Sequence, residues 1–137
     1  MKILFITLEQ SGRQILKSIL DDNFFKTNKN QIFTFGMDDG YKEFNDLTNT
    51  KITPIMGFVD IILNLKYLFN LRLKIKEIVD LHSFTHIFFV DSFDFSKFYI
   101  QKYKFRVICL FNNNILISEK DNFLKKIRAN KISLIIL

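Results

Sequence analysis

Apolar and polar residues alternate along this chain in blocks, and the block lengths separate strands from helices. "KILFIT" (Lys2–Thr7) is a compact apolar run suited to a buried strand. In "EQSGRQILKSILDDNFF" Ile15, Ile19 and Leu20 fall at helical spacing, and Ser11 is placed to cap the start. "QIFTFG" (Gln31–Gly36) is a second strand closed by a glycine, and residues 37–52 are polar and turn-rich. One or two helices fill about 54–81, and "HIFFVD" (His86–Asp91) is a strand with an acidic end. "FSKFYIQKYK" predicts a short helix and "FRVICLF" (Phe105–Phe111) a strand. After a loop at 112–114, "EKDNFLKKIRAN" predicts a helix and "ISLIIL" a last strand.

Apolar strands alternating with helices make βαβ units. The expected fold class is therefore α/β: a parallel, Rossmann-like sheet of five or six strands with helices on both faces. Residues 1–137 suit a single domain, with no repeat and no linker. The chain ends on an apolar strand with nothing polar after it, so the expectation is a domain cut short. Ligands of such sheets sit beyond the carboxyl ends of the strands. Leu8–Arg13, Gly36–Gly40 and Asp91–Phe95 are the segments predicted at that edge.

The segment "KITPIMGFVDIILNLKYLFNLRLKIK" from Lys51 does not fit the simple pattern. A membrane span needs about 20 mostly apolar residues. Here charges or Asn recur every few positions, so a span is not expected. On a helical wheel Lys66, Asn70, Lys74 and Glu77 form the polar side, and apolar residues occupy well over half of the remainder. A helix packed on one sheet needs an apolar stripe of only about 100°. The surplus must face another domain, another subunit or a membrane surface. Lys66, Arg72, Lys74 and Lys76 stand beside it, placed for lipid phosphates.

Composition narrows the classes. Of 137 residues 48% are hydrophobic and 17 are Phe, which excludes a disordered chain. The net charge of +6 suits an anionic partner, or only a solvated surface with biased composition. The single Cys109, inside "VICLF", has no internal disulfide partner and reads as a core thiol. "MKILFIT" turns polar too soon for a signal peptide.

Candidate chemistry is sparse. "LEQSGR" opens a helix, where backbone N–H groups with Ser11 and Gly12 can hold an anion or simply cap the helix. Glu9 there can act as a base or a hydroxyl ligand. In "VDSFDF", Asp91 at a strand end reads equally as a general base or sugar ligand and as a structural group, while Asp94 reads as a helix N-cap. His82 and His86 are expected to straddle a helix-to-strand loop, and without HExxH no metal site is expected.

"ITLEQSG", "IMGFVDIILNL" and "FFVDSFDF", in this order, resemble the GEASGD-like loop, the MG-[IFL]-V-E-hydrophobic segment and the IDxPDF motif of lipid-A-disaccharide synthase. That family consists of inverting glycosyltransferases of bacterial outer-membrane assembly. The resemblance spans nearly the whole chain. It implies the N-terminal, acceptor-side half of a GT-B glycosyltransferase, peripheral to the cytoplasmic face of the inner membrane. The implied reaction transfers 2,3-diacylglucosamine from UDP-diacylglucosamine to diacylglucosamine 1-phosphate, with no cofactor and no nucleic acid.

By the resemblance Asp91 is the catalytic acid of IDxPDF, proposed as general base. Glu9, Ser11 and Gly12 are substrate-binding residues of the first loop, and Met56 and Gly57 are those of the MG pair. Phe58, Ile62, Leu65 and Phe69 are the membrane contacts. Departures from the pattern are Leu8 for the loop's first Gly, Arg13 for its Asp, Asp60 for Glu, Phe93 for Pro, and "NNNILIS" for an SPSxWAW-like stretch. The donor-binding half is missing, so inactivity alone is expected, with a separate C-terminal half or a homodimer as partner. The alternative is a non-catalytic α/β lipid- or anion-binding module from a decaying gene.

Overall fold

The structure, a computed structural model, describes residues 1–37, 43–53, 58–91 and 107–110. It begins with strand β1 (Ile3–Thr7), helix α1 (Gln10–Leu20), helix α2 (Asn23–Thr27) and a 3₁₀ turn at Lys29–Gln31. Strands β2 (Ile32–Phe35) and β3 (Asn45–Asp46) follow. Helices α3 (Phe58–Leu63) and α4 (Leu65–His82) then lead to strands β4 (His86–Val90) and β5 (Val107–Leu110). The five strands lie in the order β3-β2-β1-β4-β5, and each neighbouring pair is parallel. The α/β, Rossmann-like reading is thus met in the described residues. The helices expected near residues 95–104 and 119–130 and the strand at the C-terminus lie outside them.

β1 is buried along its whole length because it is central. Its side chains alternate between two cores. Ile3 and Phe5 meet Leu16, Ile19 and Leu20 of α1 and Phe25 of α2 on one face. Leu4 and Ile6 meet Leu71, Ile75, Ile78 and Val79 of α4 on the other. A parallel sheet covered on both faces requires such continuous apolar strands. Phe5 also stacks on its register partner Phe88 of β4 at 5.0 Å, and Phe25 meets the Phe5 ring edge-on at 5.6 Å. Such aromatic contacts add about 0.5–1.5 kcal/mol each beyond buried area.

Local chemistry sets the element ends. α1 ends at its C-cap Asp21, and Asp22 starts α2 by accepting from the Phe24 N–H at 2.9 Å. The stretch of about 54–81, expected to hold one or two helices, divides into α3 and α4 at Asn64, whose Nδ2 donates to the Asp60 carbonyl at 2.8 Å. Short amide side chains compete for helix carbonyls in this way. Ser83 ends α4 in the left-handed region, and Thr85 Oγ1 donates to the Lys2 carbonyl at 2.8 Å where the chain enters β4.

One strand, β3, was not expected within the polar stretch 37–52. Asn and Asp are poor strand formers, and side-chain bonds of Asn45 support the pairing beside the backbone. Asn45 Nδ2 donates to the Lys29 and Ile32 carbonyls at 3.1 and 3.0 Å, and Leu47 N–H donates to the Thr34 carbonyl at 2.8 Å.

Candidate functional site at the carboxyl edge of the sheet

The chain moves from β1 to β2 and β3 on one side of the sheet, then returns through α3 and α4 to β4 on the other side of β1. The strand order reverses between β1 and β4, so their adjacent carboxyl ends are the topological switch point of the sheet. Open α/β sheets bind their ligands at this place. Leu8–Gly12 leaves β1 there, and Asp91 leaves β4 beside it.

Gly12 allows the close approach. A Cβ at this position would lie 2.5 Å from the Val90 carbonyl oxygen, 2.6 Å from Thr7 Oγ1 and 3.1 Å from Asp91 Cβ. Its role is thus steric, setting the first turn of α1 against the ends of β1 and β4. Ser11 does not cap α1. The N-cap is Glu9, which makes no side-chain cap bond, and Ser11 is the second helical residue. Its Oγ donates to Asp91 Oδ2, joining the first turn of α1 to the end of β4. The Asp91 carboxylate therefore sits near the first turn of α1, where the helix dipole favours negative charge.

β4 stops at Val90, one residue short of the expected strand, and Asp91 has φ 54°. Asp is among the few residues that enter the left-handed region at modest cost. Glu9 is exposed at the rim. Partial loss of hydration at the edge, and then the charge of Asp91, raise its carboxyl above the ordinary value.

Three further contributors were not among the candidate site residues, although Arg13 and Gly36 belong to segments expected at this edge. Thr7 is fully buried at the end of β1 and lies against the Gly12 backbone. Arg13 Nε donates to the Gly36 carbonyl at 2.8 Å, tying α1 to the end of β2. Gly36 has φ +90°, and a Cβ there would lie 1.8 Å from the Thr7 carbonyl oxygen. The polar end of an otherwise apolar strand and the Gly closing "QIFTFG" were the available signals.

Met56 and Gly57 lie outside the described residues, as does Asp94. Phe58 is described only as the first residue of α3. Ile62, Leu65 and Phe69 are exposed at 53%, 58% and 62%, on the segment where the sequence carries more apolar residues than one sheet face can cover. Lys66 is exposed there too, while Lys76 pairs with Asp80 at 2.6 Å. No helix among the described residues is long and apolar enough to cross a membrane. His82 and His86 do flank the turn between α4 and β4, and no group of three or more His, Cys, Asp or Glu among the described residues gathers to hold a metal ion.

No family model, no curated protein and no solved structure matches this chain.

Proposed function

We propose that this chain is the acceptor-side domain of a glycosyltransferase resembling lipid-A-disaccharide synthase. It would work at the cytoplasmic surface of the inner membrane on diacylglucosamine 1-phosphate, with UDP-diacylglucosamine as donor. The observation that carries the reading is Asp91: a carboxylate at the switch point of a parallel sheet, beside the first turn of α1. The exposed apolar side chains of α3 and α4 support the membrane part, since apolar residues can enter the acyl boundary while Lys side chains stay wet.

In this reading Asp91 takes the proton of an acceptor hydroxyl. The freed oxygen pair forms the new bond to the donor's anomeric carbon, and UDP leaves with the pair of the bond that breaks. General-base assistance of this kind contributes roughly 10²–10⁴-fold. Glu9, with Leu8 and the first turn of α1, lines the acceptor side. The reaction also needs a UDP-sugar-binding half.

The test is a transfer assay on the chain, alone and with a donor-binding half supplied in trans. Transfer in the reconstituted mixture that is lost in a folded Asp91→Asn variant is the expected result. Undiminished turnover by that variant rejects the catalytic role. No transfer under any condition, together with retained binding to lipid, moves the chain to the non-catalytic binding module.

A further inference from the structure

The hydroxyl of Ser11 and the carboxylate of Asp91 meet although their residues are 80 apart in the sequence. The meeting is built rather than incidental. Gly12, next to Ser11, brings the first turn of α1 so near β4 that its missing Cβ would contact both Val90 and Asp91. Arg13, one residue further on, fastens the same turn to the Gly36 carbonyl at the end of β2. Three consecutive residues thus hold α1 against the ends of β1, β2 and β4.

Asp91 itself has left the strand, with φ 54°. The alternation of the strand no longer sets the direction of its side chain. The Ser11 hydroxyl supplies that direction by occupying Oδ2, and Oδ1 accepts no hydrogen bond among the described residues. A base must present one oxygen along the line of the proton it removes.

We propose that Ser11 is a positioning residue, which holds one Asp91 oxygen so that the other faces the acceptor hydroxyl, and that it does not bind the substrate itself. This rests on the reading of Asp91 as the base. It changes the role expected of Ser11 in the first loop from ligand to orienter.

The experiment compares the full chain with Ser11→Ala, Ser11→Thr and Ser11→Cys. Thr keeps the hydroxyl, whereas Cys keeps the shape with only a weak donor. Crystal structures of the four proteins read the Asp91 carboxylate without reference to activity. The expected result is a rotated or multiply oriented carboxylate in the Ala and Cys variants and the parent orientation in Thr. With a donor-binding half supplied, kcat should fall about 10–100-fold in Ser11→Ala at unchanged acceptor KM, since small misplacements of a reacting group have costs of that order. Ser11→Thr should recover most of the loss. An Asp91 carboxylate that stays in place in Ser11→Ala overturns the inference, whether or not transfer is seen. So does a raised KM at unchanged kcat, which would make Ser11 a substrate ligand. Absence of transfer in the parent protein counts against the glycosyltransferase reading alone, and the structures then decide the role of Ser11.

Discussion

The helices on the two faces of the sheet solve one problem differently. α1 spans 11 residues, and its apolar side chains Leu16, Ile19 and Leu20 are buried, with Ile15 packed against them. α4 spans 18 residues and buries Leu71, Ile75, Ile78 and Val79, yet leaves Leu65, Phe69, Leu73 and Leu81 exposed. α3 adds exposed Val59, Ile61, Ile62 and Leu63. A sheet face takes one stripe from a helix. α1 offers only that stripe, so its sequence is accounted for by folding. α3 and α4 offer more, and the excess calls for a second surface to meet.

The largest effect should come from the edge where α1 is anchored. Gly36→Ala puts a Cβ into the Thr7 carbonyl and fixes an unfavourable positive φ. The expected loss is roughly 3–5 kcal/mol, measured by denaturant unfolding. A loss below about 1 kcal/mol would show that the edge can rearrange, because surface changes stay within about 0.5 kcal/mol.

The two helices can next be set against each other directly. Leu16→Ala on α1 should cost about 2–5 kcal/mol, as buried Leu truncations do. Phe69→Ala on α4 should change stability by no more than about 0.5 kcal/mol despite the larger side chain, because Phe69 is exposed. A large cost at Phe69 would mean that its ring is covered in the folded chain.

Membrane contact predicts a different loss from the same face. The triple replacement Ile62→Ser, Leu65→Ser and Phe69→Ser should leave the fold intact and weaken co-sedimentation with anionic vesicles several-fold. Salt should weaken binding of the parent protein too, since exposed charges are screened within about 8–10 Å near physiological ionic strength. Parent protein that sediments with neither anionic nor neutral vesicles would assign the face to a protein partner.

The smallest effect concerns pH. The Glu9 carboxyl is raised in the folded protein, so the fold binds that proton more tightly than the unfolded chain does. Its contribution to stability is therefore present at low pH and is lost as pH rises from the ordinary carboxylate value through the raised one. Glu9→Gln should flatten this part of the stability profile. Asp91→Asn should lower the Glu9 midpoint, read by carbon-detected NMR, because it removes the second cause of the shift. An unmoved midpoint would leave hydration as the only cause.

Much of the framework was legible in the chain itself. "KILFIT", "QIFTFG", "FRVICLF" and "HIFFVD" announce strands because an apolar run bounded by polar residues is a local signal. The same holds for α1, whose spacing shows its buried stripe, and for Asp91, which must fall at a strand end wherever that strand lies. β3 was illegible because Asn45 and Asp46 carry no strand propensity, and their pairing depends on Lys29, Ile32 and Thr34 partners. Ser11 was misread as a cap because Ser before an apolar helix normally is one. Its carboxylate partner stands 80 residues away.

By itself, then, the sequence determined strands β1, β2, β4 and β5 and the helical character of α1 and of the segment that holds α3 and α4, that the strands need cover on both faces, and that one helical segment carries more apolar surface than a sheet can use. Those properties follow from short-range periodicity. Only the tertiary structure decided that β4 lies beside β1, that Gly12 therefore touches the β4 end, and that Ser11 meets Asp91. It also decided which apolar residues of α3 and α4 remain exposed. The physical reason is that strand order and helix docking are set by the joint burial of distant segments, which no local pattern encodes.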